Sequence, residues 1–233
     1  ISFAETVVVN SFEFKKQMER RFKIKKIECI YNPLNVKEII NKSKLKQKEN
    51  FFSAKKKCLK IINIGRFTEQ KDQITLLKAA KNLKNKISFK LLIVGRGKEE
   101  SNLKEYVKEN NLTNHVKFNN FIDNPYPIIK KSDLFILSSK YEGLPNVLLE
   151  ALVLKKFVIS SNCPTGPKEI LLNGRGGLLF KVGDHIDLSN KIIYYLKNKS
   201  KSKRMLTNSR KNLHKFNYEK NLKKYYNLVK TII

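Results

Sequence analysis

Five short apolar runs, separated by stretches with leucines at helical spacing, constrain this chain more than any other feature of its 233 residues. The runs are LKIINIG (59–65), FKLLIVG (89–95), DLFILSS (133–139), KFVISS (156–161) and GLLF (177–180). None alternates apolar with polar residues, the mark of a strand with one wet face. Such runs fit strands buried on both faces, as in a parallel sheet covered by helices. Between them, QITLLKAAKNLKNK (73–86) and ESNLKEYVKENN (100–111) set leucines on one helical face and lysines opposite. Strand, helix and strand in this rhythm imply right-handed crossovers. The expected fold is therefore α/β: a Rossmann-like doubly wound parallel sheet over residues 59–197, followed by C-terminal helices over 198–233.

The flanks read differently. TVVVNS (6–11) predicts a strand, SFEFKKQMERRF (11–22) a helix and IECIYNPLN (27–35) a second strand ending in a turn. Residues 1–35 thus resemble the tail of another α/β domain. Residues 36–58 are lysine-rich and weakly patterned, as expected of a linker. Because the chain opens at Ile1 and not at Met, it is expected to be a piece of a longer one whose front is missing. In the last stretch, Tyr225 and Tyr226 fall in an aromatic and leucine stripe that predicts packing.

Composition enters where partners are at issue. No apolar run is long enough to span a bilayer, and the opening ISFAETVVVN lacks the basic start of a signal peptide. Cys29, Cys58 and Cys163 are too scattered for a disulfide framework or a CxxC metal site. Together these predict a reducing, cytoplasmic compartment. Basic residues number 49 against 20 acidic, a net charge of +29. That excess points to an anionic partner, nucleic acid or a membrane surface. Only seven of the 49 are arginine, however, whereas specific phosphate recognition favours the arginine fork. A lysine excess of this kind fits drift in codon composition, and no specific nucleic acid is expected.

Chemistry is expected beyond the carboxyl ends of the strands, where open α/β sheets bind ligands. Gly65, Arg66 and Lys71 follow the first strand; Gly95 and Arg96 follow the second. Two phosphate motifs are excluded there: Glu100 occupies the third glycine position of a GxGxxG fingerprint, and no GxxxxGK[ST] sequence occurs. The Gly95 turn reads as a tight corner whose backbone can still face a ligand. The helix after the DLFILSS strand is more informative. Pro145 suits its first position, and from there only Asn146 and Glu150 are polar, four residues apart on one face. A carboxylate in so apolar a helix is costly unless hydrogen-bonded. A ribose diol would satisfy Glu150, and so would a structural lysine. Glu142 precedes the same helix, whose free N–H groups can receive an anion.

GRFTEQKD, VGRGKEESNL, VKFNNFIDN, SDLFILSSKYEGLPNVLLEAL, CPTGPKEIL and GRGGLLF, in this order, resemble the nucleotide-sugar-binding half of retaining GT-B glycosyltransferases of family 4, the group 1 glycosyltransferases. Glu142 and Glu150 match the family's E-x7-E pair. The resemblance implies that Arg66 and Lys71 grip the donor diphosphate. Glu142 would bond the transferred sugar or adjoining phosphate, Glu150 the ribose hydroxyls, and Gly143 and Leu144 would lend backbone amides. Gly65, Gly95, Arg96, Asn146 and Val147 complete the implied donor site, with Glu142, Arg66 and Lys71 as its catalytic members.

The implied reaction moves a hexosyl or N-acetylhexosaminyl group from a nucleotide diphosphate sugar, UDP-linked by resemblance, to a glycan or lipid-linked acceptor. It retains anomeric configuration and uses no metal or other cofactor. Peripheral contact with anionic lipid at the inner face of the membrane is the expected use of the lysines. Pro145 departs from the glycine that many members carry, which removes an amide donor, and the isolated piece is expected to be inactive. His115, His185 and His214 match no family catalytic position and are assigned surface or capping roles. The alternatives are a nucleotide-sugar enzyme of the same fold that does not transfer, such as an epimerase or phosphorylase, and a non-catalytic polyanion or RNA binder.

Overall fold

The computed structural model describes residues 6–22, 24, 26–47, 51–52 and 58–231. At the N-terminus, β1 (Val7–Val9), α1 (Phe12–Arg21) and β2 (Ile27–Cys29) form a parallel two-stranded unit with Val7 opposite Ile27. Then come α2 (Val36–Lys42) and six parallel strands: β3 (Leu59–Ile64), β4 (Phe89–Val94), β5 (Val116–Asn119), β6 (Leu134–Leu137), β7 (Phe157–Ser161) and β8 (Leu178–Phe180). Their order, β5-β4-β3-β6-β7-β8, is that of a doubly wound dinucleotide-type sheet. The chain runs from β3 outward to one edge, then returns to the other side of β3. The switch point lies between β3 and β6.

Alternate strand residues explain the unbroken apolarity. Ile61, Leu91, Leu134, Ile136 and Ile159 point into one core with α3 (Gln73–Leu83), α4 (Glu100–Glu109) and α8 (His185–Lys197). Their neighbours Ile62, Leu92, Phe135, Leu137 and Val158 point into the other, with α2, α5 (Tyr126–Lys131) and α6 (Asn146–Val153). Burial on both faces confines polar side chains in the central strands mostly to the strand starts, as at the half-buried Lys60 and Lys90. Strand β5 escaped the apolar-run pattern because it is VKFN, an edge strand with Lys117 exposed. Helices α5 and α7 (Pro167–Ile170) have six and four residues, too few to show a period.

The stretch expected as a linker holds a packed helix. Asn35 caps α2 by accepting from Glu38 N at 3.1 Å, and Ile39 is buried in the second core. The rest of that expectation falls partly on residues 48–50 and 53–57, outside the described residues. After α8 come α9 (Lys199–Lys211), a 3-10 turn (Asn212–Phe216) and α10 (Tyr218–Lys230). They return to the N-terminal unit: Leu34 N donates to Phe216 O at 2.8 Å, and Tyr225 Oη to Ile30 O at 3.4 Å. Tyr226, by contrast, is 59% exposed and carries Lys230 over its ring. It does not pack as expected. Among the described residues no helix is long and apolar enough to cross a membrane.

Candidate active site

The site is built on the two loops that leave the switch point. After β3 the chain passes Gly65 and Arg66, makes a 3-10 turn (Glu69–Lys71) and enters α3 through Asp72. After β6 it runs from Ser138 to Pro145 before α6 begins. Lys71 Nζ lies 2.6 Å from Glu142 Oε1, and the two side chains are only 17% and 8% exposed. Ser139 Oγ donates to the same carboxylate oxygen at 2.6 Å. Backbone ties hold the loops in register: Lys140 N donates to Gln70 O at 2.8 Å, and Ser138 Oγ to Lys71 O at 2.8 Å. Gln73 Nε2 fixes the Arg66 carbonyl at 2.9 Å.

A third loop braces Glu142 from behind. Thr165 Oγ1 donates to the Glu142 carbonyl, and Gly166 packs so tightly that a Cβ there would sit 2.1 Å from Gly143 O and 2.6 Å from Pro145 Cδ. With φ +71, Gly166 also needs the left-handed freedom of glycine. Pro145 is the N-cap of α6, not its first residue, one place earlier than expected. Its extended ψ of 100 turns the chain into the helix.

Gly95 and Gly97 have a structural reason. A Cβ on Gly95 would lie 2.0 Å from Gly65 O, and one on Gly97 would lie 2.3 Å from Phe67 O. Only bare backbone lets the β4 loop lie against the β3 loop, where Phe67 N donates to Arg96 O at 2.9 Å. The corner is tight, as its sequence suggested, and it still faces open space on its other side.

That space is a cavity of about 490 Å³ lined by Gly65, Arg66, Gly95, Arg96, Val147 and Glu150, six of the eleven nominated residues. Residues from the β5 loop complete it: Phe121, Ile122, Asp123, Pro125 and Tyr126. Glu150 and Arg66 therefore share one chamber. Lys71 and Glu142 form the neighbouring pair described above. Gly143 is exposed before α6, while the Leu144 side chain is buried in the core. Asn146 turns elsewhere: its Oδ1 accepts from Asn32 Nδ2 at 2.8 Å.

The partner of Glu150 among the described residues is not a lysine but the Tyr126 hydroxyl, 3.4 Å from Oε1. Burial raises the Glu150 pKa above the ordinary carboxylate value, and the tyrosine hydrogen bond offsets this in part. Tyr126 is pushed up to about 12, by burial first and then by the Glu150 charge. A half-satisfied carboxylate thus faces a cavity and lacks strong donors. In the lining of the same cavity, the Arg96 guanidinium lies 5.7 Å from the Phe121 ring, which is 61% exposed.

Tyr126 and Phe121 were missed because β5 was not counted as a strand; the carboxyl-end rule would otherwise have nominated its loop. The histidines lie apart, as expected. His115 stacks on Phe89, His185 opens α8 beside Asn82, and His214 Nδ1 is 2.8 Å from Lys211 O. Among the described residues no three His, Cys, Asp or Glu side chains are grouped to hold a metal, and all three cysteines are free.

The fold superposes on a glycosyltransferase from Rickettsia africae with a TM-score of 0.85 at 22% identity, covering 97% of this chain and 63% of that one. The Anabaena protein HepE, solved with UDP and glucose, also gives 0.85 at 20% identity, covering 99% and 64%. In sequence, an uncharacterized glycosyltransferase of Methanocaldococcus jannaschii is 38% identical over 175 residues, 72% of this chain and 42% of the relative. A Campylobacter jejuni enzyme, N-acetylgalactosamine-N,N'-diacetylbacillosaminyl-diphospho-undecaprenol 4-alpha-N-acetylgalactosaminyltransferase, is 28% identical over 183 residues, 77% and 47%. The chain therefore spans about half the length of these curated relatives. Residues 42–212 match the family of glycosyl transferases group 1; with both glutamates and both cations on the carboxyl edge of a 3-2-1-4-5-6 sheet, the chain belongs to that family.

Proposed function

We propose that this chain is the donor-binding half of a retaining family 4 glycosyltransferase. It would move a hexosyl or N-acetylhexosaminyl group from a nucleotide diphosphate sugar, a UDP-sugar first among candidates, to a glycan or lipid-linked acceptor in surface glycoconjugate synthesis. One observation carries the reading: Gly65, Arg66, Gly95, Arg96, Val147 and Glu150 converge on one cavity at the sheet's switch point. Related proteins named as acting on diphospho-undecaprenol-linked sugars favour a lipid-linked acceptor.

In this reading the nucleoside enters the 490 Å³ chamber, and its ribose diol supplies the donors that Glu150 lacks. The diphosphate runs toward Arg66 and Lys71. An ammonium has three N–H donors, so Lys71 can keep its bond to Glu142 and still reach a phosphate oxygen. As the glycosidic bond breaks, charge grows on the departing diphosphate. Cations already in position stabilise it without reorganising, the kind of preorganisation that dominates many rate enhancements. That duty falls to Arg66, Lys71 and the N-terminus of α6, with no metal invoked. Residues 1–35 would be the end of an acceptor-binding domain, so the piece alone would not turn over. Its setting would be cytoplasmic, peripheral to an anionic inner membrane face.

The test is calorimetry of UDP, GDP and ADP with the chain, repeated with Glu150→Ala and Arg66→Ala. One nucleotide should bind, and each variant should weaken it about tenfold or more, the value of one charge-assisted hydrogen bond. Affinity unchanged in both variants would remove the assignment, and rapid sugar transfer by the chain alone would contradict the two-domain reading.

A further inference from the structure

A second chamber, of about 550 Å³, lies between α1 and the segment that follows Gly166. One wall is the 12-13-16-17-20 face of α1; the other comprises Tyr31, Lys168, Glu169, Leu172, Asn173, Arg175 and Lys215. Five of its twelve lining residues are cationic: Lys16, Arg20, Lys168, Arg175 and Lys215. None of the five forms an ion pair among the described residues. The carboxylates present are Glu13 and Glu169, and Glu169 is committed elsewhere. It accepts from Ser11 Oγ at 2.9 Å, from Phe12 N at 3.1 Å and from the Tyr31 hydroxyl. Its charge is thereby matched by the N-terminus of α1, which leaves the groove strongly positive.

The arginines single this groove out from the general lysine surplus. Of the seven in the chain, Arg66 and Arg96 line the donor cavity, while Arg20 and Arg175 line this one. Guanidinium forks suit phosphate oxyanions, and an isolated lysine on a basic surface carries no such message. The groove is tied to the loop that opens α6. Tyr31 on its wall adjoins Asn32, which bonds Asn146 at the start of α6, and the segment bearing Lys168 begins at Gly166, packed on Gly143 O.

We infer that this groove is a second anion site, one that takes the phosphate or diphosphate group of the acceptor substrate. The inference rests on the glycosyltransferase reading for the word acceptor, but not for the binding itself. It places the anionic end of the acceptor between the N-terminal unit and the nucleotide domain, held by side chains from both. Binding would thus also draw the two units together.

Inorganic pyrophosphate and farnesyl diphosphate are the probes, titrated into the whole chain carrying Arg66→Ala to weaken the donor cavity. Both should still bind, and Arg20→Gln with Arg175→Gln should weaken them at least tenfold. These arginines are exposed, so folding should survive; Lys168→Gln and Lys215→Gln singly, about threefold each, give an independent reading. Lys201→Gln with Lys203→Gln on α9 should change nothing. Tighter binding of the prenyl probe identifies a lipid headgroup, and equal binding identifies the phosphate of a water-soluble acceptor; either supports the site. No binding with Arg66→Ala, or equal loss in the α9 variants, overturns it. Failure of every nucleotide in the unmodified chain would sink the donor reading and leave this result standing.

Discussion

Lys71 and Glu142 are 71 residues apart in sequence and meet at 2.6 Å across the gap between the β3 and β6 loops. The pair exists because those two strands are neighbours in the sheet, and it ties Lys71 to the loop that opens α6. Removing one partner of a nearly buried pair strands the other charge, at a cost of about 3 kcal/mol. Lys71→Met should lower stability by about that amount, because among the described residues the Glu142 carboxylate would keep only Ser139. Glu142→Gln should cost less, since an amide oxygen can still accept from both. Urea unfolding of the two variants and their combination measures this, and a cycle with no coupling would refute it.

Gly95 and Gly65 touch each other yet should fail differently. In Gly95→Ala the new Cβ meets a backbone carbonyl that cannot move without unseating β3; a loss of about 3 kcal/mol is expected, as in severe overpacking. In Gly65→Ala the nearest atoms are the flexible Lys71 side chain at 3.6 Å, so stability should hold. Gly65 also lines the cavity proposed to take the nucleotide, and nucleotide affinity should drop instead. Thermal melts and nucleotide titrations on the same two proteins separate the effects. The reverse pattern would show that the tight corner belongs to the ligand.

What could be read in advance follows from where local pattern and tertiary structure coincide. Strands β3, β4, β6, β7 and β8 announce themselves because both faces are buried, so their apolar runs are continuous. Glu150 was legible because a lone carboxylate in α6 has to be explained. Tyr126 and Phe121 were not, since β5 at the sheet edge reads as alternating VKFN. The bonds from Asn32 to Asn146 and from α1 to Glu169 span 114 and 157 residues. Nothing local marks such partners, and only the folded chain brings them together.

Glu150 gives a dependence on pH. Burial raises its folded pKa above the ordinary value of 4.5, so the folded state holds its proton more tightly than the unfolded state does. That contribution is fully present below pH 4.5 and is lost as pH rises through the raised folded value. Glu150→Gln keeps an acceptor for Tyr126 and removes the charge. Its melting temperature should match the parent at pH 4 and exceed it at pH 7.5, with the gap opening between. A gap that is constant across this range would show that Glu150 is not desolvated. Nucleotide binding should reverse the advantage at neutral pH, because a neutral amide is the weaker partner for a diol.

Glu169 links the two parts of the chain through the start of α1. Its carboxylate takes the α1 backbone N–H groups of Phe12 and Glu13, at 3.1 and 3.4 Å, besides the Ser11 and Tyr31 hydroxyls. Two parallel strands and one helix have little core of their own: α1 has no buried residue, and Phe12 and Phe22 are exposed. Such a unit is marginal alone, so its order depends on what holds it. A charge-assisted bond contributes about 1.5–3 kcal/mol. In Glu169→Ala, amide exchange at Phe12, Glu13 and the β1–β2 pair should therefore accelerate at least tenfold, while β3, β4 and β6 keep their protection. Glu169→Gln should lie between, since an amide oxygen accepts but carries no charge to meet the helix dipole. Hydrogen exchange read residue by residue decides it: uniform protection in all three proteins would mean that the N-terminal unit is held by its other contacts, Asn32–Asn146, Leu34–Phe216 and Tyr225–Ile30.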